Sequence, residues 1–309
     1  MERNSRRYQT DQDLQQMQRL LMEARSRGSD WSHSHIGEAT FRIFMILCHL
    51  DPQTHIRLWH TATGALVAYA LLGEDPFFDI QVAPEVQWTG IEEEAFAWAE
   101  ATLAGLRQRD PERWGGDLVS FARQDDGRRR VFLGQHGFRY SGEFAEVNML
   151  RALSGPLPEP VAPPGYQIRA LSGIEEAPAR AAAHREVWLP WTDGDITNAQ
   201  YVAFMQLPAY QRDLDIIAVA PDGTIAAFVN GWNDPLNRIG ELGTVGVIPE
   251  YRRRGLMRAV LFEVLRCMQA QGMERACVST GVTNIPAIRL YSAVGFESRN
   301  VALDYRKPA

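Results

Sequence analysis

Val245-Gly246-Val247-Ile248-Pro249-Glu250-Tyr251-Arg252-Arg253-Arg254-Gly255-Leu256-Met257-Arg258 is the stretch on which the reading of this 309-residue chain turns. An apolar strand stops, three arginines and a glycine follow, and an amphipathic helix begins. Free backbone N–H groups and the positive end of a helix dipole converge at such a junction, which suits an anion such as a phosphate. Gly255 carries no Cβ and would let the backbone approach a ligand closely. Met257, Val260, Leu261, Val264, Leu265 and Met268 recur at helical spacing, and Gly272 supplies the stop. Taken alone, the segment also fits an ordinary strand–turn–helix with a solvated basic turn.

The sequence beyond it narrows the choice. Arg275-Ala276-Cys277-Val278-Ser279-Thr280 reads as a buried strand, and Thr283-Asn284-Ile285-Pro286 as a loop ending at a helix start. The next helix carries Ala287, Leu290, Tyr291 and Val294 on one face and ends at Gly295-Phe296. This order resembles the GNAT superfamily of acyl-CoA N-acyltransferases, whose pyrophosphate loop has the pattern Q/R-x-x-G-x-G/A. Arg252 and Gly255 match it. Met257 departs from it, and its bulk beside the pyrophosphate is expected to reduce cofactor affinity or to displace the loop slightly. The resemblance covers most of the cofactor half of the C-terminal region.

Composition is compatible with that reading without deciding it. The formal net charge of -6 gives no support for a nucleic-acid partner, the arginines of the loop being one local cluster. Cys48, Cys267 and Cys277 lack metal-type spacing and read as reduced thiols of a cytoplasmic protein. His33 and His35 lie two apart with no third ligand in sight, so no metal is expected. No apolar run reaches the ~18 residues needed to span a bilayer, so no membrane partner is expected either.

The stretch 155–165, with five prolines, cannot form a helix or an interior strand and is expected to be a stiff linker. It would separate a first domain, 1–154, from a second, 166–309. The two sides repeat one another. Val82-Ala83-Pro84-Glu85 precedes Gly90 as Val247-Ile248-Pro249-Glu250 precedes Gly255. Ala95, Phe96, Ala99 and Leu103 give the first copy its helix stripe. Leu133, four residues before Gly137-Phe138, stands where Tyr291 precedes Gly295-Phe296. Thr63-Gly64 and Asp222-Gly223 read as equivalent hairpin turns. The fold expected is therefore α/β (α+β), two tandem GNAT folds, each with a mixed, mainly antiparallel sheet flanked by helices. The copies are not equal chemically. The first replaces the arginines with Gln87-Trp88-Thr89, puts Glu92 where Met257 lies, and has Leu133 in place of a proton donor. It is expected to be structural or to shape the substrate cleft.

Direct attack of an amine on a thioester needs a base for the amine proton and an acid for the departing thiolate. The resemblance gives Tyr291 the role of acid, the alternative being a core tyrosine. Strand alternation puts Glu241, Gly243, Val245 and Val247 on one face, which makes Glu241 the candidate base, the alternative being a solvated strand-end carboxylate. The resemblance further implies that the backbone of Val245, Gly246 and Val247 pairs with the pantetheine arm. Arg252, Arg253, Arg254, Gly255, Leu256, Met257 and Arg258 would wrap the pyrophosphate. Asn284 would touch the cofactor, with a helix cap as its alternative. Trp188 and Trp191 with Asp193 and Asp195, and the segment Phe228 to Asp234, are weaker candidates for the amine site. The function expected is transfer of an acetyl group from acetyl-CoA, the cosubstrate, to a primary amine of a small molecule, by a monomer or homodimer. The alternatives are a protein N-acetyltransferase and a non-catalytic acyl-CoA-binding module.

Overall fold

The computed structural model describes residues 3–28, 31, 33–189 and 196–309. In chain order the elements are β1 (Arg3–Arg7), α1 (Asp11–Arg27), α2 (Ile36–His49), α3 (Pro52–His55), β2 (Ile56–Thr61), β3 (Leu66–Gly73), β4 (Phe77–Val82), α4 (Ile91–Arg109), α5 (Pro111–Trp114), β5 (Leu118–Arg123), α6 (Gly127–Gln135) and β6 (Arg139–Ala152). They continue with β7 (Gln167–Ala170), α7 (Ala177–Trp188), α8 (Asn198–Met205), β8 (Asp215–Val219), β9 (Ile225–Asp234), β10 (Ile239–Val247), α9 (Leu256–Ala270), β11 (Arg275–Gly281), α10 (Ile285–Ala293) and β12 (Glu297–Lys307). Short 3-10 turns at Pro84–Val86 and Pro249–Tyr251 precede α4 and α9.

Two compact units result, one of Met1–Val147 with Asn300–Ala309, the other of Asn148–Arg299. This differs from the division expected at 155–165. The last strand of each copy is exchanged, because β6 crosses into the second unit at Asn148 and β12 returns to the first at Asn300. The sheet of the first unit runs β1-β2-β3-β4-β5-β12-β6. Within it β12 lies antiparallel to β5, Ala302 opposite Arg123 through Lys307 opposite Leu118. The sheet of the second unit runs β6-β11-β10-β9-β8-β7. Each is mainly antiparallel and contains a parallel pair, β4 with β5 and β10 with β11 respectively. The proline-rich stretch is not a free linker: Leu157 is buried, Gln269 donates to the Gly155 carbonyl at 2.8 Å, and Arg266 pairs with Glu159 at 2.9 Å.

The helix stripes read from the sequence are the buried faces. Val260, Leu261, Val264, Leu265 and Met268 of α9 are fully covered, and so are Ala95, Phe96 and Ala99 of α4. Both hairpin turns place glycine at positive φ, 87° at Gly64 and 89° at Gly223, which only glycine adopts without strain. Among the described residues, no helix is long and apolar enough to cross a membrane, and no cluster of His, Cys, Asp or Glu has the form of a metal site.

The exchanged strand makes residues near the C-terminus part of the core of the first unit. Tyr305 packs there and its hydroxyl accepts from Arg130 Nε at 2.9 Å. Tyr305→Ala is expected to destabilise the first unit by about 3–5 kcal/mol. Urea unfolding followed on the first-unit tryptophans checks it, with the second unit's transition expected to stay in place.

Candidate active site

The site begins where the parallel pair in the second unit stops. β10 and β11 are registered only from Ile239 opposite Arg275 to Glu241 opposite Cys277. Against β9, β10 carries one extra residue between Leu242 and Val245, a β-bulge. Beyond it β10 and β11 are no longer paired, and a cavity of about 1120 Å³ opens. Its walls are the end of β10, the loop 249–255, the first turn of α9, the end of β11 and one face of α10. The size suits an extended ligand of the cofactor class.

The bulge corrects one expectation. Glu241 is paired with Trp232, Gly246 with Phe228, but Val245 with Val229. Directly opposed residues share a face, so Glu241 faces the side of Trp232, Phe228, α7 and α8, and Val245 and Val247 face α9. The face expected to hold all four residues is therefore broken between 242 and 245. Glu241 is buried and does not line the cavity. The bulge surroundings also need glycine: a Cβ on Gly246 would fall 2.5 Å from Phe228 Cζ, and one on Gly243 would fall 2.9 Å from Trp232 Nε1.

In the loop, Arg253 and Gly255 both take left-handed backbone, with φ of 61° and 80°. The space where a Cβ of Gly255 would stand is open, so its glycine is required by conformation. No side chain caps α9 at Gly255, which leaves the N–H groups of its first turn to an outside acceptor. The arginines are not equivalent. Arg254 turns back onto its own loop, donating to Tyr166 Oη at 3.0 Å and to the Glu250 carbonyl at 3.1 Å. Arg252 reaches the Val247 carbonyl at 3.3 Å, and Arg258 lies over the Phe262 ring. Leu256 and Met257 are both buried, so Met257 forms wall within the unit while the cavity beside it stays wide.

Asn284 caps α10, its Oδ1 accepting from the Ala287 N–H at 3.4 Å and its Nδ2 donating to Thr280 Oγ1 at 3.1 Å, while it also lines the cavity. Tyr291 lines the far wall, 5 % exposed, its ring edge-on to Phe296. Burial raises its hydroxyl well above the usual phenol range, so the proton stays on oxygen at neutral pH. Trp188 stacks on His184 at 4.6 Å and also lines the cavity. Burial, then the nearby Arg180 and Arg185, lower His184 to about 3, which keeps it neutral. Trp191, Asp193 and Asp195 lie outside the described residues.

A buried network next to the bulge had no signature in the sequence. Arg180 and Asp215, both wholly buried, pair at 3.1 Å. Asp215 also accepts from Tyr201 at 2.5 Å and Tyr210 at 3.0 Å. The Arg180 guanidinium lies 3.6 Å from the centre of the Phe228 ring, and its Nη2 approaches Thr244 Oγ1 in the bulge at 3.5 Å. The partners stand far apart in sequence, and no local periodicity marks them.

The first unit repeats the loop without the cleft. Trp88 has φ of 61° and Gly90 of 98°, matching Arg253 and Gly255. β4 keeps an unbroken register on β3 from Phe77 to Val82, with no bulge. Cavities of about 130 and 220 Å³ lie at that loop, against about 1120 Å³ in the second unit. Glu92 Oε1 accepts the Trp88 N–H at 2.8 Å, so the protein's own carboxylate takes an amide that a phosphate would use.

Two copies of one strand–loop–helix fold, of which the second keeps an open cleft with an uncapped helix start and a buried tyrosine, fit a transferase of the acyl-CoA type. Comparison with known proteins agrees. The acetyltransferase (GNAT) family matches residues 180–296. The mycothiol acetyltransferase of Thermobispora bispora is 30% identical over 218 residues, 62% of this chain and 70% of that protein. A GCN5-related N-acetyltransferase from Sphaerobacter thermophilus superposes with a TM-score of 0.66 at 21% identity, covering 99% of this chain and 95% of that one. A tandem GNAT protein from the clavulanic acid biosynthesis pathway gives 0.66 at 16% identity, covering 99% and 98%. The chain belongs to the GNAT acetyltransferase family, and it is an N-acetyltransferase that uses an acyl-CoA.

Removing one partner of the Arg180–Asp215 pair leaves an uncompensated buried charge. Asp215→Ala is expected to destabilise the second unit by about 3–5 kcal/mol. Denaturant unfolding of that unit measures it, and a cost below about 1 kcal/mol contradicts the buried-pair description.

Proposed function

We propose that the second unit transfers the acetyl group of acetyl-CoA to a primary amine of a small molecule. The carrying observation is one cavity walled at one end by the uncapped start of α9 and at the other by Tyr291. In this reading the diphosphate sits on the N–H groups of residues 252–258, with Arg252 and Arg253 adding charge and Arg254 bracing the loop. The pantetheine arm lies along Val245, Gly246 and Val247, where β10 is no longer paired with β11. Asn284 holds the loop before α10 against it.

The amine nitrogen attacks the thioester carbonyl carbon, the C–S bond breaks, and the thiolate takes the proton of the Tyr291 hydroxyl. Glu241, which stands behind the cavity wall, receives the ammonium proton only by relay through water. Its place on the α7/α8 face, across the bulge from Val245, keeps it apart from the pantetheine arm. The curated relative is named for mycothiol, and a small polar acceptor of that class is the acceptor proposed here. The reduced thiols Cys48, Cys267 and Cys277 fit a cytoplasmic setting.

Thiol release from acetyl-CoA, measured over polyamines, aminoglycosides, amino acids and mycothiol-class amines, tests the reading. Tyr291→Phe is expected to lower kcat by roughly 10²–10⁴-fold with coenzyme A affinity unchanged. Because the folded hydroxyl is raised above its free value, Tyr291 stays protonated as pH rises. The wild-type rate is therefore expected to show no alkaline fall from this group up to pH ~10, the usual tyrosine value. An unchanged Tyr291→Phe rate removes the tyrosine from the reaction. Glu241→Gln is expected to lower kcat by at least ~10²-fold.

A further inference from the structure

Ser279 brings a hydroxyl to the cleft of the second unit on the side of α7. Cys277 of β11 stands opposite Glu241 of β10, and neighbours across paired strands share a face. Cys277 and, two residues on, Ser279 therefore lie on the α7/α8 face with Glu241. Cys277 and Glu241 are buried, whereas Ser279 is exposed and lines the cavity with Gly243, Val187 and Trp188. Thr280 falls on the opposite face by alternation, and its hydroxyl oxygen accepts from Asn284 Nδ2 at 3.1 Å.

The direction of the Ser279 proton is fixed. The hydroxyl donates to Asn148 Oδ1 at 2.6 Å, and Asn148 is buried on the neighbouring strand β6. A hydroxyl has one proton and two lone pairs, so with the proton committed its oxygen meets the cleft as an acceptor. Such a group repels a thioester carbonyl oxygen and takes an N–H. It stands on the face of Glu241, toward which the amine is proposed to lose its proton, so the N–H it meets is that of the acceptor.

The hydrogens of the reaction name the substrate class. Of the three on the ammonium, one passes to Glu241. A second leaves nitrogen as the C–S bond breaks and balances the proton that Tyr291 gives the thiolate. The third stays in the product amide. We propose that Ser279 Oγ accepts this third N–H, aims the nitrogen lone pair at the thioester carbon, and so restricts the enzyme to primary amines. A secondary amine puts carbon where that N–H would be and leaves the oxygen unanswered. The inference rests on the acyl-transfer reading above, and Asn148 is the positioning residue that acts through Ser279.

Thiol release from acetyl-CoA is measured with paired amines: glycine beside sarcosine, glucosamine beside N-methylglucosamine, and each amine the panel turns over beside its N-methyl derivative. The wild-type kcat/KM is expected to favour the primary member at least ~10-fold. Ser279→Ala is expected to lower the primary rate roughly three- to tenfold, leave the N-methyl rate and coenzyme A affinity unchanged, and narrow the preference by the same factor. Ser279→Thr, which keeps the hydroxyl, should restore it. A wild type without the preference, or a preference unchanged in Ser279→Ala, overturns the inference and leaves the acyl-transfer reading standing. If no amine releases thiol, that reading fails and the inference with it. Should Ser279→Ala lose coenzyme A binding, the wild-type ratio decides.

Discussion

One extra residue in β10 shapes everything the second unit does. The bulge between Leu242 and Val245 ends the pairing with β11 and turns the strand, so backbone groups that a closed sheet would consume face a cleft instead. An unpaired strand edge inside a protein is costly unless something pairs with it, and an extended ligand arm is such a partner. Gly243 and Gly246 let Trp232 and Phe228 pack under the bulge, and the Arg180–Asp215 pair lies against its Thr244. The cleft thus rests on a packed, fully buried platform.

The two copies show which parts of the fold are needed for folding and which for chemistry. Both keep the left-handed residue two before the loop glycine, the glycine itself, and the buried helix stripe behind it. These belong to the strand–loop–helix junction whether or not a ligand arrives. The first copy lacks the bulge, replaces the arginines, and fills an amide of its loop with Glu92. A carboxylate at the start of α4 is itself well placed on the helix dipole. The equivalent loop of the first unit is in this way a self-satisfied turn.

Much of this was legible in the chain. The periodicity of α9 and α4 gave their buried faces, the matched Pro-Glu and Gly-Phe signals gave the repeat, and Arg252 to Gly255 gave the turn into α9, because each depends on neighbours within a few residues. The exchange of β6 and β12 was not legible. The prolines at 155–165 mark irregular backbone, but the unit they belong to is set by packing of Leu157, Glu159 and Gly155 around α9. The bulge was missed because Leu242-Gly243-Thr244-Val245 is consistent with regular alternation. That omission put Glu241 on the wrong face. Asn284 turned out to hold its helix cap as well as line the cleft. Arg180 and Asp215 carry no local pattern at all.

The account stands on a single working cleft, in the second unit. Calorimetric titration of coenzyme A into the intact chain tests it most directly. One site per chain is predicted, lost in Gly255→Val, where a β-branched residue meets a left-handed backbone, and retained in Gly90→Val. Two sites per chain, or binding that survives Gly255→Val and disappears in Gly90→Val, would contradict it.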